Sequence, residues 1–446
     1  MNPIPLGALR PCLEGAIPAV IATASADGQP NVAYLSQVVY VDESHVALSF
    51  QFFNKTRQNI LANPVATLLV LHPETAEFFR LHIRYLRTET AGPLFESMRA
   101  QLAGIASHSG MADVFVLRGA DIYAVQGIER VDGQPLPAPP PRCGLLPALR
   151  RCSERMAGCT TLDDLLNHTL DVLTDTLGVR HAMVLMADAP AGRLYTVASR
   201  GYPTSGIGSE IAWGQGVIGV AAQAGTPVRI MHMTSARLYS HAVRSSLQAG
   251  EPALALATDI PYPGLAEPHS QLAVPIRSAG RLLGVLFIES PQERRFNFED
   301  EDMLVAISGH LGAAIDLLQA TTDTAEATPA PPAVAASGPP LQIRRFCAND
   351  SIFIGEQYLI KGVAGAIFWK LVHDRVHHGR TEFSNRELRL DASLGLPDLA
   401  DNLEARLLLL QRRLTEHGAA VQIEKSGRGR FRLVCERPLV LADVAA

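Results

Sequence analysis

The chain has 446 residues, of which 47% are hydrophobic and 19% charged; that balance buries substantial cores and excludes a wholly disordered or fibrous protein. At roughly 100–200 residues per domain the length exceeds one core and predicts several domains. The 39 Lys+Arg against 44 Asp+Glu leave a formal charge of −5, which excludes a generally basic nucleic-acid coat protein while leaving room for one basic module.

Six cysteines (Cys12, Cys143, Cys152, Cys159, Cys347 and Cys435) show no C-x-x-C pair and no Cys/His spacing of a zinc site, so reduced thiols are expected. The N-terminus lacks a basic start followed by an apolar stretch of signal-peptide length. No run of about 18 uncharged apolar residues occurs, which predicts a soluble, cytoplasmic protein with no membrane partner. Two stretches interrupt the alternation of apolar segments: Gln134 to Arg142, and the Ala/Thr/Pro-rich run from Thr321 to Pro340. Such stretches cannot bury a core and act as connectors. The expected domains are 1–133, 145–320 and 341–440, with 321–340 a disordered linker. Leu341 to Ala446 carries 16 Lys+Arg and 13 Asp+Glu, a charge of +3, against −8 for everything before it.

In the first domain, Ala19 to Thr23, Asn31 to Val41, His45 to Phe52 and Ala66 to Leu71 are short segments rich in β-branched and aromatic residues. Turn chemistry at Asp27-Gly28 and Asp42-Glu43-Ser44 separates them, predicting successive antiparallel hairpins and a small β-barrel. After the third segment, Asn54-Lys55-Thr56-Arg57-Gln58-Asn59 is a polar, basic turn running into a short helix closed by Pro64. Two cations beside a hydroxyl at a helix start form a candidate phosphate clamp. No nucleophile, acid/base pair or metal constellation stands near this turn, and His72, His82 and His108 read as structural or surface residues.

This arrangement resembles the pyridoxamine 5′-phosphate oxidase-like, FMN-binding split barrel over residues 10–131. The resemblance rests on Ile17 to Thr23, the Asp27-Gly28-Gln29-Pro30 turn, Ala33-Tyr34-Leu35-Ser36, Lys55 to Asn59, and a closing segment Val114 to Val131 with Val125 and Glu129. It implies that Lys55, Thr56 and Arg57 hold the flavin phosphate and that Tyr34, Leu35, Ser36, Phe50 and Gln51 lie near the ring. Relatives of the fold bind FMN, deazaflavin, haem or nothing, so the fold alone does not select the ligand.

In the middle domain, leucines at helical spacing from Leu145 to Gly178 predict an amphipathic helix ahead of strands at Ala182 to Met186 and Leu194 to Ser199. Gly214-Gln215-Gly216-Val217-Ile218-Gly219 opens a short helix. Its glycine spacing matches a dinucleotide fingerprint, but no long buried strand of a βαβ unit precedes it and no ribose-binding acid follows in context. A hairpin of Gln271 to Ile276 and Gly280 to Glu289 follows, then a closing helix whose first turn, Glu299 to Asp302, complements the helix dipole. These pieces resemble a GAF domain, an α/β/α sandwich. That implies a small-molecule ligand, a homodimer joined through the terminal helices, and a cover over the pocket from Met231 to Gly264 with His232 and His241. Cys159 reads as a small hydrophobe rather than a chromophore attachment site.

In the last domain, strands at Leu341 to Phe346 and Ser351 to Ile354 precede helices at Gly362 to His378, Thr381 to Leu390 and Leu403 to Glu416, the third capped by Asp401-Asn402. Strands Val421 to Glu424 and Arg430 to Val434 flank a basic, glycine-containing turn. The whole resembles the winged-helix DNA-binding domain of response regulators, through Leu410-Gln411-Arg412-Arg413-Leu414 and the run Gly427 to Leu433. The resemblance implies a third helix in the major groove with Arg406, Gln411, Arg412 and Arg413 in contact, and Lys425, Arg428 and Arg430 on phosphates. The expected fold is therefore multidomain α+β: split β-barrel, GAF sandwich and winged helix. The expected function is a one-component, signal-responsive transcriptional regulator, and the alternative is a flavin-dependent oxidoreductase regulated by its other domains.

Overall fold

The computed structural model describes residues 4–13, 18–51, 54–108, 116–137, 144–231, 260–322, 338–394, 396, 403–427 and 429–444. The expected pocket cover from 232 to 259, the linker from 323 to 337, the Asp401-Asn402 cap, Cys143 and Arg428 lie outside the described residues.

The first domain opens with a 3-10 turn, Leu6–Leu13, and continues as β1 (Ala19–Ala24), β2 (Pro30–Leu35), β3 (Val38–Asp42), β4 (His45–Phe50), α1 (Lys55–Ala62), β5 (Val65–Leu71), β6 (Phe78–Glu89), α2 (Pro93–His108) and β7 (Gly119–Arg130). The seven strands form one sheet in the order β2-β1-β5-β6-β7-β4-β3, every neighbouring pair antiparallel. Alternation along the strands sends Ile21, Leu48, Leu68, Leu81 and Ile83 into one core. On the other face Ala47, Ala120 and Ile122 pack against Phe95, Met98 and Leu102 of α2. The segment read as one strand from Asn31 to Val41 is two, broken at Ser36-Gln37, where the chain leaves β1 and turns to pair with β4.

The middle domain runs α3 (Leu145–Ala157), α4 (Leu162–Leu177), β8 (His181–Asp188), β9 (Arg193–Arg200), β10 (Glu210–Ala212), α5 (Gly216–Ala224), β11 (Val228–Ile230), β12 (Ser270–Ser278), β13 (Arg281–Ser290) and α6 (Phe298–Thr322). Its six-stranded antiparallel sheet has the order β10-β9-β8-β13-β12-β11. Period-2 alternation sorts its two faces: Ala182, Val184 and Met186 meet α3, α4 and α6, while Met183 and Leu185 meet α5. The predicted single helix from Leu145 to Gly178 is two. Gly158 ends α3, and Thr161 caps α4 by accepting the Asp164 N–H at 3.1 Å. Helix α6 begins on a reciprocal cap, in which Asn297 Oδ1 accepts from the Glu299 and Asp300 N–H groups and Asp300 Oδ2 accepts from Asn297 N–H at 2.8 Å. Phe298–Ala320 is also the one described helix long and apolar enough to cross a membrane. Its Leu304, Ile307, Leu311 and Ile315 are buried in the domain core, the placement of a core helix.

The glycines from Gly214 to Gly219 build a turn. Gly214 and Gly216 have φ of 79° and 59°, Gly214 N–H donates to Gly219 O at 2.8 Å, and a Cβ on Gly219 would collide with the Ala212 carbonyl. Only the three-residue edge strand β10 precedes it, which excludes the strand-helix setting of a dinucleotide fingerprint.

The last domain comprises β14 (Leu341–Phe346), β15 (Ser351–Ile354), β16 (Gln357–Ile360), α7 (Gly362–His378), β17 (Glu382–Ser384), α8 (Asn385–Leu390), α9 (Leu403–Glu416), β18 (Val421–Gly427), β19 (Arg430–Cys435) and β20 (Leu439–Val444). Two sheets form, β16-β15-β14-β20 and β17-β19-β18. The predicted helix from Thr381 is a strand before a helix: Ser384 caps α8 by accepting Glu387 N–H at 3.2 Å, so the residues before it pair with β19. Strand β20 runs parallel to β14, Leu341 opposite Leu439 through Phe346 opposite Val444.

Candidate functional site

The barrel's candidate site is built around α1. Asn54 caps the helix, its side chain accepting Arg57 N–H at 3.1 Å, which directs Arg57 back across the sheet. Its guanidinium donates through Nη1 to Asp121 Oδ2 at 2.5 Å and through Nη2 to Thr88 Oγ1 at 2.9 Å. Phe50 and Tyr85 lie against it, with ring centroids 4.4 and 5.4 Å away. Thr88 in turn donates to Asp121 Oδ1 at 2.5 Å. The pair is nearly dry, with side-chain exposures of 11% for Arg57 and 7% for Asp121. Burial pushes the Asp121 carboxyl above its ordinary range, and the bonds from Thr88 and Arg57 pull it part of the way back. Burial likewise raises the Tyr123 phenol.

A cavity of about 100 Å³ opens beside this pair. Seven of the eight residues expected at a flavin line it: Tyr34, Leu35, Ser36, Phe50, Gln51, Thr56 and Arg57. Lys55 is exposed and does not line it. Asp121, Tyr123 and Asn54 line it too and were not among the expected residues. The legible signal was Asp121, a carboxylate at a position of β7 where its neighbours Ala120 and Ile122 are apolar. Two buried polar atoms in the lining have no partner, the acceptor Gln51 Oε1 and the donor Arg57 Nε. Thr56 Oγ1 accepts from Asn31 Nδ2 at 2.9 Å, which leaves its own O–H to donate.

Pockets that enclose drug-sized ligands measure about 300–1,000 Å³. The enclosed part here is smaller and suits a phosphate-sized group, and Tyr34 at its edge is 82% exposed. A donor and an acceptor left unsatisfied in one buried wall fit a ligand that carries both functions.

The residues expected to contact nucleic acid separate into two sets. Arg406 is buried, with Asp188 of β8 at 3.3 Å and its guanidinium 5.5 Å from the Tyr195 ring centroid. Arg412 reaches into the middle domain, donating to Asp163 Oδ1 at 2.5 Å, to the Val197 carbonyl at 2.6 Å and to Asn167 Oδ1 at 3.1 Å. Arg413 is bound to the Leu359 carbonyl at 3.1 Å and to Glu416 at 3.2 Å. These three arginines are thus spent on intramolecular contacts and do not present a groove-reading surface in this arrangement. The physical reason is that α9 is apolar on more than one side: Leu403, Leu407, Leu408, Leu409, Leu410 and Leu414 are all buried, because the helix packs on its own domain and on α4 and β9. Gln411 is half-buried, whereas Lys425 and Arg430 on the β18–β19 hairpin are exposed and have no ion-pair partner among the described residues.

Among the described residues no group of three or more His, Cys, Asp or Glu is arranged to hold a metal. The five described cysteines form no disulfide among the described residues; burial pushes Cys152 up to about 11 and raises Cys159, so neither is an activated thiolate. Of the histidines, His72 Nδ1 accepts two turn amides at 3.2 Å and His82 faces Glu129 at 3.2 Å. The side chain of His108 lies outside the described residues.

Residues 6–126 match the family model of pyridoxamine 5′-phosphate oxidase, and residues 159–316 match that of the GAF domain. The chain therefore carries a pyridoxamine 5′-phosphate oxidase-like domain followed by a GAF domain. A comparison with curated proteins found no match. Among solved structures, an FMN-binding protein from Syntrophomonas wolfei subsp. wolfei is 15% identical, spanning 28% of this chain and 86% of its own, with a TM-score of 0.25. The GAF domain of an Acinetobacter phosphoenolpyruvate-protein phosphotransferase is 19% identical over 40% of this chain and 98% of its own, with a TM-score of 0.31. Free methionine-R-sulfoxide reductase from Neisseria meningitidis, in complex with its substrate, is 20% identical over 40% and 91%, with a TM-score of 0.31.

Proposed function

We propose that this protein is a cytoplasmic one-component transcriptional regulator, in which a flavin-holding barrel and a GAF domain sense a redox state or small molecule and the last domain, a winged helix, binds DNA. The observation that carries the sensory half is the pair of family matches in series, together with the barrel cavity whose buried wall leaves one donor and one acceptor unsatisfied. FMN, when bound, supplies the redox chemistry. The chain's own residues bind and orient it: Arg57 Nε and Thr56 O–H are the donors for its phosphate, Gln51 Oε1 accepts from it, and Asp121 offsets part of the Arg57 charge. Supporting the regulatory half are three helices followed by a hairpin with outward Lys425 and Arg430. Because Arg406 and Arg412 are engaged by the middle domain, reading DNA through α9 requires this domain to undock first. Two leucines, Leu146 on α3 and Leu317 on α6, are 78% and 65% exposed on helices that pack together, which supports pairing of two copies along these helices.

Two measurements test this reading. The purified protein should show flavin absorption bands, or acquire them with added FMN, and Arg57→Ala should weaken FMN retention at least ten-fold; a colourless protein that binds no FMN removes the flavin. Binding to fragments of its own promoter region should be sequence-selective and fall steeply with salt. Absent or salt-insensitive binding removes the DNA reading, and steady turnover of a reductant would favour the oxidoreductase instead.

A further inference from the structure

The middle and last domains enclose a cleft of about 290 Å³ to which the function above assigns no small ligand, although it shares Lys425 and Arg430 with the proposed DNA-binding hairpin. One wall is the start of α4, and the other is formed by α9 and the β18–β19 hairpin. Its floor is apolar, made by Leu162, Leu407, Leu408, Ile423 and Phe431. At its polar side stand Lys425 and Arg430, exposed cations with no ion-pair partner among the described residues. Asp163 also lines the cleft, but its charge is met by Arg412 at 2.5 Å. Glu404 is the lining carboxylate that no described cation balances, its described contact being Asn385 Nδ2 at 3.5 Å.

We propose that this cleft binds a small amphipathic monoanion, an acyl chain of about ten carbons or an aromatic body of similar size bearing one acidic group, and that the bound ligand holds α9 docked on the middle domain. The apolar floor takes the body of the ligand and the two free cations take its head. The uncompensated Glu404 disfavours a second negative charge, which selects a monoanion over a dianion. The direction of the effect follows from where the walls come from. Leu162 belongs to one domain and Leu407, Leu408, Ile423 and Phe431 to the other, so the complete site exists only while the domains are docked, and a ligand favours the state it binds. Occupancy therefore keeps Arg412 on Asp163 and covers the two hairpin cations. The proposal goes beyond the DNA-binding reading and stands or falls separately, because its readouts are ligand affinity and domain docking.

Decanoate is the probe, titrated by calorimetry into the full chain below its micellar concentration, with decyltrimethylammonium as the cationic control. One saturable site per chain is expected, weakening about four-fold for each methylene removed towards hexanoate, with no saturable binding of the cationic control. Lys425→Glu/Arg430→Glu should weaken decanoate at least ten-fold, and Leu408→Trp, which fills the floor, should abolish the site. In hydrogen–deuterium exchange, decanoate should slow the amides of both Leu162–Leu177 and Leu403–Glu416. The proposal is overturned if decanoate does not bind, if both variants bind it as the parent does, or if bound decanoate protects neither helix.

Discussion

Arg57 and Asp121 carry the most chemistry per atom in the barrel, and each constrains the other. Removing Arg57 leaves a buried carboxylate without its cation, a change that costs about 3 kcal/mol; urea unfolding of Arg57→Ala should show a loss of that order in the transition assigned to the first domain. Replacing Asp121 with Asn keeps a hydrogen-bond acceptor but frees the positive charge, so anions should bind more tightly, measured as a lower Kd for FMN or inorganic phosphate. Asp121 also sets a pH dependence. Its folded carboxyl titrates above the ordinary value of 3.8, so the folded state holds the proton more firmly than the unfolded chain does. This contribution is fully present below 3.8 and is lost as pH rises through the elevated value. Plots of barrel stability against pH should lose this descending component in Asp121→Asn.

At the scale of elements, two glycines of α6 make opposite predictions. A Cβ at Gly312 would collide with the Arg277 carbonyl of β12, whereas a Cβ at Gly309 meets nothing within 4 Å. Gly312→Ala should therefore force helix and strand apart and cost about 1–3 kcal/mol. Gly309→Ala should gain up to about 1 kcal/mol of helix propensity, and calorimetry of the two variants should give Tm shifts of opposite sign. The same elements show what periodicity reveals and what it hides. The leucine stripe of α9 and the paired hairpin strands β12 and β13 were legible because their apolar spacing is set by the element itself. The breaks at Ser36-Gln37 and at Gly158 were not, because the residues on either side keep the same spacing while a distant strand or helix decides where the chain turns. Tyr34, Phe50, Gln51, Thr56 and Arg57 were legible as a set through the resemblance of the surrounding strands. The Arg57 partners Thr88 and Asp121 stand 31 and 64 residues further on, and only the pairing of β6 with β7 and of β7 with β4 brings them there.

Across the whole molecule, the decisive contact is the seating of α9 on the middle domain. Leu409 and Arg413 lie against the turn at Gly208, Ser205 donates to Glu416, and Lys361 faces Glu210 at 3.5 Å. Arg412 is the strongest polar anchor, though Asp163 is 43% exposed and its share of the energy is correspondingly screened. Arg412→Glu should shift the docking equilibrium roughly ten-fold toward the open form, about 1.4 kcal/mol, seen as a larger radius of gyration in small-angle scattering. The exchanged pair Arg412→Glu/Asp163→Arg should restore the compact value; an unchanged radius in the single variant would show that the apolar contacts of α9 suffice. The parallel strand β20 has a consequence in time rather than in space. Its partner β14 is made almost a hundred residues earlier, so during synthesis β14 waits with one edge uncovered until Leu439–Val444 clear the ribosome, after the two preceding domains have had time to fold. The basic module thereby completes its sheet only after the two domains before it, and it forms beside a middle domain already in place to receive it.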